Sequence, residues 1–250
     1  MPCDTPVSAA AVPSGSLYKR PLPESQIPFS SAQGRLLFQE ALLAGTMNSY
    51  FPLAEQFHTQ VEPTYCGISS LVMVLNALQV DPKRLWKGVW RWFSEDVADC
   101  CQQLGHIHQS GLTLAELATL ARCNGLDASA VHASALPQDL AAFRAQVLRV
   151  SSAPLGNSSM QEAVVASYSR AVLGQTGDGH FSPLGGYHAA KDLVLLLDVA
   201  RFKYPPHWVP LPLLWQAMQA IDSDTGLSRG YLQLQVGTHV TGLTEQTCTP

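Results

Sequence analysis

Charged residues are scarce in this sequence, and neither sign is in clear excess. They make up 14% of the 250 residues, and the formal net charge is −4. Surfaces that bind nucleic acids or anionic membranes normally carry an excess of Lys and Arg. We therefore expect no nucleic acid and no membrane among the partners. The hydrophobic content of 46% instead predicts a globular protein with a sizeable core.

The sequence also lacks the patterns of a membrane span, a secretory signal and a cysteine framework. No apolar run reaches the about 20 residues that cross a bilayer, and no basic stretch followed by an apolar one stands at the N-terminus. The six cysteines form no CxxC pair, so we expect a cytoplasmic protein with reduced thiols. Vicinal Cys100 and Cys101 lack two further ligands at fixed spacing, so neither a metal site nor a tightly bound cofactor is predicted.

The chain divides into two tails and one folded domain. Residues 1–16 are rich in Ala, Pro and Ser, which predicts a disordered N-terminal tail, and residues 237–250 form a polar C-terminal tail. Between them, residues 17–236 are mainly helical in the first half and strand-rich in the second. This order predicts an α+β fold with a helical lobe, a sheet lobe and a cleft between them. The segment from Val164 to Leu173 fits either strand or helix.

Local patterns suggest the structure of two further segments in the first half. Trp86, Trp90 and Phe93 continue a helical spacing, and we expect the tryptophans to pack in the core between helices. A platform for a ligand is the alternative for these tryptophans. His106 and His108 follow in a Gly-flanked stretch that we interpret as an exposed loop.

The strongest candidate for chemistry is Cys66, which comes just before a long apolar run. Apolar residues recur at helical spacing from Ile68 to Leu78 and also fill the other sides, which predicts a buried helix. Pro63 marks its start and places Cys66 at or just before the first turn, where free N–H groups and the helix dipole favour a thiolate. The ordinary alternative for such a cysteine is a small buried hydrophobe. Gln60 lies upstream, where its amide could face the same point.

A carboxylate within an apolar run is the second indication of a site. Asp198 interrupts a run that predicts a central strand, and a carboxylate there needs a partner. His180 lies on the preceding extended segment, one strand away if the two pair antiparallel. His180 would then take the proton of Cys66, and Asp198 would fix the imidazole tautomer. Gln60 and a backbone N–H would bind the oxyanion.

Spacing alone leaves other assignments open. The alternatives are His188 and His207 for the histidine, and Asp192 for the acid. His188 is the stronger of the two histidines, because His207 lies in a rigid Pro-rich segment. Asp192 stands in a predicted turn, which favours a solvated side chain. A salt bridge to a basic residue that follows it would give Asp198 a purely structural role.

Several long stretches, in this order, closely resemble the catalytic domain of phytochelatin synthases. These enzymes are glutathione γ-glutamylcysteinyltransferases of the papain-like cysteine peptidase superfamily. The stretches are EPTYCGISSLVMVLNAL, WKGVWRWF, DCC, QTGDGHFSPLGGYH and LDVARFKYPPHWVPLPLLW. The resemblance runs from about Leu17 to about Gln235. It implies a papain-like, two-lobed fold for residues 17–236, with an antiparallel sheet in the C-terminal lobe and the active site in the cleft.

The resemblance also implies roles for individual residues. In that family the Cys of YCG, the His of GHFSP and the Asp of LDVARF form a catalytic triad, which corresponds here to Cys66, His180 and Asp198. The glutamine that precedes the cysteine corresponds to Gln60.

Substrate-binding residues are implied by the same resemblance. Asp222 and Arg229 match the pair that holds the γ-glutamyl end of the acyl group, with Arg229 on the α-carboxylate and Asp222 on the α-ammonium. An ordinary polar turn is the alternative for Asp222. Gly179 and Arg201 are also expected at the substrate. Asp178 departs from the small neutral residue that we would expect in this Gly-rich turn, and an inward carboxylate there would raise the pKa of the nearby imidazole.

The implied activity is a transpeptidation. Glycine would leave glutathione, a γ-Glu-Cys acyl group would remain on Cys66, and glutathione or a phytochelatin would accept it. Cd²⁺, Zn²⁺ or other heavy-metal ions would act mainly as thiolates of the acceptor glutathione, in metal detoxification. The expected partners are thus glutathione, phytochelatin peptides and these ions, and a homodimer stays open. The alternatives are hydrolysis of glutathione or its S-conjugates, and a metal-buffering protein, against which the scattered cysteines argue.

Overall fold

The computed structural model of the chain describes residues 15–98, 104–155 and 160–237. Nearly all of the two predicted tails, together with Cys100 and Cys101, lie outside these residues. The helices of the described part are α1 (Ala32–Leu43), α2 (Tyr50–Glu55), α3 (Cys66–Ala77), α4 (Leu104–Ser110), α5 (Leu114–Cys123), α6 (Pro137–Ser152) and α7 (Leu211–Gln219). The strands are β1 (Ile27–Pro28), β2 (Leu126–His132), β3 (Glu162–Ser169), β4 (Gly179–His188), β5 (Leu193–Leu196), β6 (His207–Pro210) and β7 (Gly230–Val236).

These strands form one antiparallel sheet in the order β1-β6-β5-β4-β3-β7-β2. β4 lies at the centre, between β3 and β5. Its pairing with β3 sets His180 opposite Tyr168. On the other side, the N–H of Leu197 donates to the carbonyl of Pro183 at 3.1 Å, which continues the β4–β5 pairing past the end of β5. The residue that follows, Asp198, is therefore held beside β4.

Helices cover both faces of the sheet. Successive residues of a strand point to opposite faces, so neighbouring residues belong to two different cores. Val165 and Leu195 belong to the core shared with α1, α3 and α5. Their neighbours Val164 and Val194 belong to a second core, which contains residues of α6 and α7. The predicted α+β class with an antiparallel sheet is confirmed.

The helix predicted after Cys66 is present, and a second helix, α5, begins with a capping motif. The apolar run after Cys66 forms α3, in which every residue from Gly67 to Ala77 is buried. α5 begins with a capping box, in which Thr113 Oγ1 accepts from the N–H of Glu116 and the Glu116 carboxylate accepts from the N–H of Thr113 at 2.8 Å. The undecided segment from Val164 begins as strand β3.

Three local predictions are wrong. No helix contains Trp86, because the chain turns at Gly88 with φ = 57° and Lys87 bridges to Trp90. Trp90 is 70% exposed, so the tryptophans do not fill the core, whereas Phe93 does. The stretch with His108 is helix α4 rather than a loop, because Ile107 supplies a buried anchor. Strand β2, in the first half of the chain, was not predicted.

Candidate active site

Cys66 is the first residue of α3, and its side chain is a partly exposed free thiol. The N–H groups of a helix's first turn have no partner within the helix, and the dipole is positive there. The rest of α3 is buried, so the position of Cys66 is fixed by the core. The thiol lines a cavity of about 250 Å³, together with Phe181 and Gly179 from the start of β4. The structure thus places the predicted nucleophile at the wall of a cavity.

His180 lies beside this cysteine because α3 packs against β4. The hydroxyl of Ser70, on α3, donates to the carbonyl of Phe181 at 3.2 Å and fixes the two elements side by side. His180 is 4% exposed, and its Nε2 lies 2.8 Å from Oδ1 of Asp198. Since Nε2 faces the carboxylate, Nδ1 is the ring nitrogen left for proton exchange with Cys66, whose pKa the charge of His180 lowers.

Asp198 follows β5 and is completely buried. Besides His180, it accepts from the N–H of Ala200 at 2.9 Å and from Nη2 of Arg170 at 2.8 and 3.0 Å. Burial raises the pKa of this carboxyl. The positive charges of His180 and Arg170 lower the pKa by more than burial raises it, so the net shift is downward. Asp198 is therefore ionised at neutral pH. Its basic partner is Arg170, not one of the basic residues that follow it.

The pKa values of the thiol and the imidazole shift in opposite directions. Burial raises the pKa of the Cys66 thiol, but the charge of His180, the hydrogen bond from His180 and the N–H of Phe181 outweigh burial and lower it. Burial lowers the pKa of His180, but the charge of Asp198 outweighs that effect, and the net shift is upward. These shifts favour a thiolate–imidazolium pair, which is the reactive form of a cysteine nucleophile.

The same cavity is lined by the predicted substrate-binding pair. Asp222 and Arg229 both line it, and Arg229 Nη1 lies 3.3 Å from Asp222 Oδ2. Asp178 is mostly exposed, and its carboxylate lies 3.7 Å from Arg229 Nη2. A Cβ on Gly179 would lie 2.2 Å from Arg229 Nη1, so only glycine leaves room for the guanidinium there. One guanidinium and three carboxylates, those of Asp178, Asp222 and Asp224, therefore line the same cavity as Cys66.

Gln60 is buried near the site, but its amide is engaged within its own loop. Nε2 donates to the carbonyls of Glu62 at 2.7 Å and Pro63 at 2.9 Å. The backbone N–H of Gln60 donates to Val199 O at 3.0 Å, which ties this loop to the chain after Asp198. A contribution to an oxyanion hole would require the amide to release one of its two carbonyl partners.

Arg201 is not brought to the cavity that Cys66 lines. Its side chain is exposed, and its guanidinium lies over the ring of Phe57 at 4.8 Å. The residues that line the cavity do not include it. Its predicted role at the substrate therefore has no support in the positions of the described residues.

The alternative histidines and acid are engaged elsewhere. His188 Nε2 lies 2.7 Å from Glu40 Oε2, at the far end of β4. Nδ1 of His207 lies 2.8 Å from the carbonyl oxygen of Pro205. Asp192 is not merely solvated, as its turn suggested, because Arg144 donates to both of its oxygens at 2.8 and 3.0 Å. Among the described histidines, His180 is the one that both lowers the pKa of Cys66 and is bonded to a fully buried carboxylate.

Sequence reasoning missed Arg170, although the sequence contained a signal for it. Arg170 directly follows the apolar strand β3, as Asp198 directly follows the apolar run of β5. A charge in such a position needs a buried partner of the opposite sign. The sequence alone could therefore have predicted an ion pair between Arg170 and Asp198.

The described residues contain no group of three or more His, Cys, Asp or Glu side chains that could hold a metal ion. In the same part of the chain, no helix has the length and hydrophobicity needed to span a bilayer.

The arrangement of Cys66, His180 and Asp198 has the geometry of a cysteine–histidine–aspartate site of the kind found in cysteine-nucleophile enzymes. Comparison with known proteins places the chain more narrowly. A family model described as phytochelatin synthase matches residues 17–231. The chain belongs to the phytochelatin synthase family.

Individual relatives agree with this family. The chain is 50% identical over 218 residues to glutathione gamma-glutamylcysteinyltransferase 1 of Arabidopsis thaliana, covering 87% of this chain and 43% of the relative. It is 49% identical over 220 residues to glutathione gamma-glutamylcysteinyltransferase 3 of Lotus japonicus, covering 88% and 44%. The glutathione gamma-glutamylcysteinyltransferase of Schizosaccharomyces pombe is 46% identical over 221 residues, covering 88% and 51%. The chain thus spans about half the length of these curated relatives.

Proposed function

We propose that this chain transfers γ-glutamylcysteinyl groups from glutathione to glutathione or to phytochelatin peptides. The observation that carries the proposal is the Cys66 thiol, placed at a cavity wall beside a buried imidazole that lies 2.8 Å from an ionised carboxylate. The names of the relatives, which are about half identical over nearly the whole chain, supply the substrate.

The first half of the reaction is acylation of Cys66. The thiolate attacks the carbonyl of the Cys–Gly amide, and the N–H groups at the start of α3 stabilise the oxyanion, joined by Gln60 once its amide releases a carbonyl. The imidazolium of His180 then protonates the departing amine through Nδ1. Glycine leaves, and a γ-Glu-Cys thioester remains on Cys66. Asp198 holds the imidazole in the tautomer that this transfer needs.

Recognition of the acyl group falls to Arg229 and Asp222, which line the same cavity as Cys66. Arg229 would pair with the α-carboxylate of the γ-glutamyl group, and Asp222 would accept from its α-ammonium. Gly179 gives Arg229 the space to reach the ligand. A zwitterionic amino-acid end would thus meet one cation and one anion in complementary positions.

The second half of the reaction transfers the acyl group to an amine. The α-amine of a second glutathione, or of a growing oligomer, attacks the thioester, and His180 accepts its proton. The product is (γ-Glu-Cys)n-Gly. Cd²⁺ or Zn²⁺ enters as a thiolate of the acceptor glutathione and is therefore part of the substrate.

Three broader expectations accompany this function. The papain-like, two-lobed arrangement is supported by a nucleophile on helix α3 that meets a histidine and an acid from the sheet. The free thiol of Cys66 suits a cytoplasmic location, whereas Cys123 is disulfide-bonded, against the expectation that the thiols are reduced. A homodimer stays a prediction, which sedimentation velocity would test.

The test is incubation of the protein with glutathione and Cd²⁺, followed by mass spectrometry of the products. We expect free glycine, γ-Glu-Cys oligomers and, on intact protein, a mass increase of one γ-Glu-Cys group that a Cys66→Ala variant lacks. Glycine without oligomers would instead identify a peptidase that uses water as acceptor. Glycine release by the Cys66→Ala variant would contradict the proposal.

A further inference from the structure

Arg170 is a buried charge that the proposed reaction steps leave without a role. Its side chain is 3% exposed, and its Nη2 contacts both oxygens of Asp198 at 2.8 and 3.0 Å. An arginine this deeply buried cannot contact a ligand in the cavity, whose lining does not include it. Since a buried pair of charges is costly to desolvate, its presence here is not explained by stability alone.

The contacts of Asp198 show what Arg170 adds. Oδ1 faces His180 Nε2, the N–H of Ala200 and Arg170, whereas Oδ2 faces Arg170 at 2.8 Å. Without the guanidinium, the buried anionic Oδ2 would lose Arg170 as its hydrogen-bond donor. The carboxylate would then be free to rotate or to take up a proton, and either change would release the imidazole.

We propose that Arg170 is a positioning residue, which holds Asp198 ionised and in one orientation so that His180 keeps Nε2 on Asp198 and Nδ1 on Cys66. This inference rests on the proposed function, because it concerns the same three side chains.

The guanidinium is itself fixed on its far side. Arg170 Nη1 donates to the side-chain oxygen of Gln175, and the Arg170 guanidinium lies over the ring of Tyr204 at 5.1 Å. Gln175 Nε2 in turn donates to Gln26 Oε1 at 2.7 Å and lies 3.1 Å from His207 Nε2. A buried chain of polar side chains therefore restrains Arg170, and through it Asp198, from three separate segments.

Arg170 also acts on the charges of the pair that it positions. The groups around His180 are Asp198 after β5, Arg170 after β3, Tyr168 on β3, Cys66 on α3 and His207 on β6. As a fixed cation, Arg170 disfavours the imidazolium and favours the thiolate. It therefore works against the net rise in the pKa of His180 and adds to the net fall in the pKa of Cys66.

The experiment compares Arg170→Met, Arg170→Lys and the matched control Arg144→Met. Arg144 forms a similar two-contact pair with Asp192, away from Cys66. Glycine release would be measured across pH, with thermal unfolding to show that each variant is folded. A second readout, alkylation of Cys66 by iodoacetamide across pH, needs no substrate, so it tests Arg170 even if the proposed reaction fails.

For Arg170→Met we expect kcat to fall by about 10²-fold, with KM unchanged. The limb of the pH profile that reports the Cys66 thiol should move to higher pH, because the thiol loses a neighbouring cation and a fixed imidazolium. Arg170→Lys keeps the positive charge but loses the planar guanidinium that contacts both oxygens of Asp198. The limbs of its pH profile should therefore stay in place while kcat falls. Arg144→Met should leave all of these values unchanged.

If the folded Arg170→Met variant had the same pH profile and the same kcat as the unchanged protein, the inference would be overturned. If Arg170→Met does not fold, Arg170→Lys decides, and full kcat in that variant would overturn the inference equally. A rate loss without any shift of the limbs in Arg170→Met would also count against it, because it would indicate a general packing defect.

Discussion

Strand β4 carries a buried histidine at each end, and each histidine is bonded to a carboxylate. His180 lies 2.8 Å from Asp198, and His188 lies 2.7 Å from Glu40. Both histidines are 4% exposed. Judged by distance and burial of the imidazole alone, the two ends of the strand are equivalent.

The difference lies in what surrounds each pair. The Glu40 side chain is 52% exposed, and the second nitrogen of His188 accepts from the N–H of Lys191 at 3.2 Å. That imidazole has both nitrogens occupied by structural contacts. At the other end, the carboxylate is buried and compensated by Arg170, and the second imidazole nitrogen remains for Cys66. A histidine–carboxylate pair therefore becomes a candidate catalytic pair only where a nucleophile and a buried counter-charge complete it.

Replacing the two histidines in turn gives the largest expected contrast. His180→Gln removes the group that accepts and returns the proton, so glycine release should fall by about 10²–10⁴-fold. His188→Gln leaves Cys66 and its partners in place, so the rate should not change. Initial rates with glutathione and Cd²⁺ measure both. An equal loss in both variants would show that the two ends of β4 do not differ in the way described.

Replacing the two carboxylates should separate a buried charge from a solvated one. Asp198→Asn leaves Arg170 buried without its counter-charge, which should cost about 3–5 kcal/mol of unfolding free energy, whereas Glu40→Gln should have little effect. The folded-state pKa of Asp198 is lowered, so its contribution is complete above the unfolded value of about 3.9 and is lost as pH falls towards the folded value. Denaturant titrations between neutral and acid pH measure this. A steep acid dependence that survives in Asp198→Asn would assign it to other groups.

The glycines near the two ends should separate binding from packing, with smaller effects. A Cβ on Gly179 would displace Arg229, so Gly179→Ala should raise the KM for glutathione by about tenfold, or ~1.4 kcal/mol. A Cβ on Gly186 would lie 2.3 Å from Met47 Sδ, so Gly186→Ala should cost ~1–3 kcal/mol of stability and leave KM unchanged. Steady-state kinetics and thermal unfolding of both variants check the contrast. Unchanged KM in Gly179→Ala would argue against Arg229 at the substrate.

Local patterns were enough to predict most of the elements that carry the site. The apolar run after Cys66 and the charge within the run around Asp198 are signals that need no knowledge of the fold. The helix lies where expected, and Asp198 is buried as expected, although strand β5 ends two residues before it. The capping box at Thr113 is a local signal of the same kind.

The predictions that failed concern features that depend on contacts between distant segments of the chain. The tryptophan stretch has helical spacing, but the turn at Gly88 determines its conformation. Strand β2 is defined by its pairing with β7, about a hundred residues later. The choice between His180 and His188 depended on which end of β4 meets α3, which no periodicity reveals. Arg170 was missed because it follows β3 while its partner Asp198 follows β5, and only the folded sheet brings the two together.

The central claim is that the end of β4 next to Cys66 converts that thiol into a thiolate. The pH dependence of Cys66 alkylation, followed by peptide mass spectrometry to separate it from the other cysteines, tests this most directly. We predict an apparent pKa for Cys66 below the ordinary thiol value of about 8.5, which returns towards that value in His180→Gln and is unchanged in His188→Gln. An ordinary thiol pKa in the unchanged protein, or one that His180→Gln does not alter, would contradict the account.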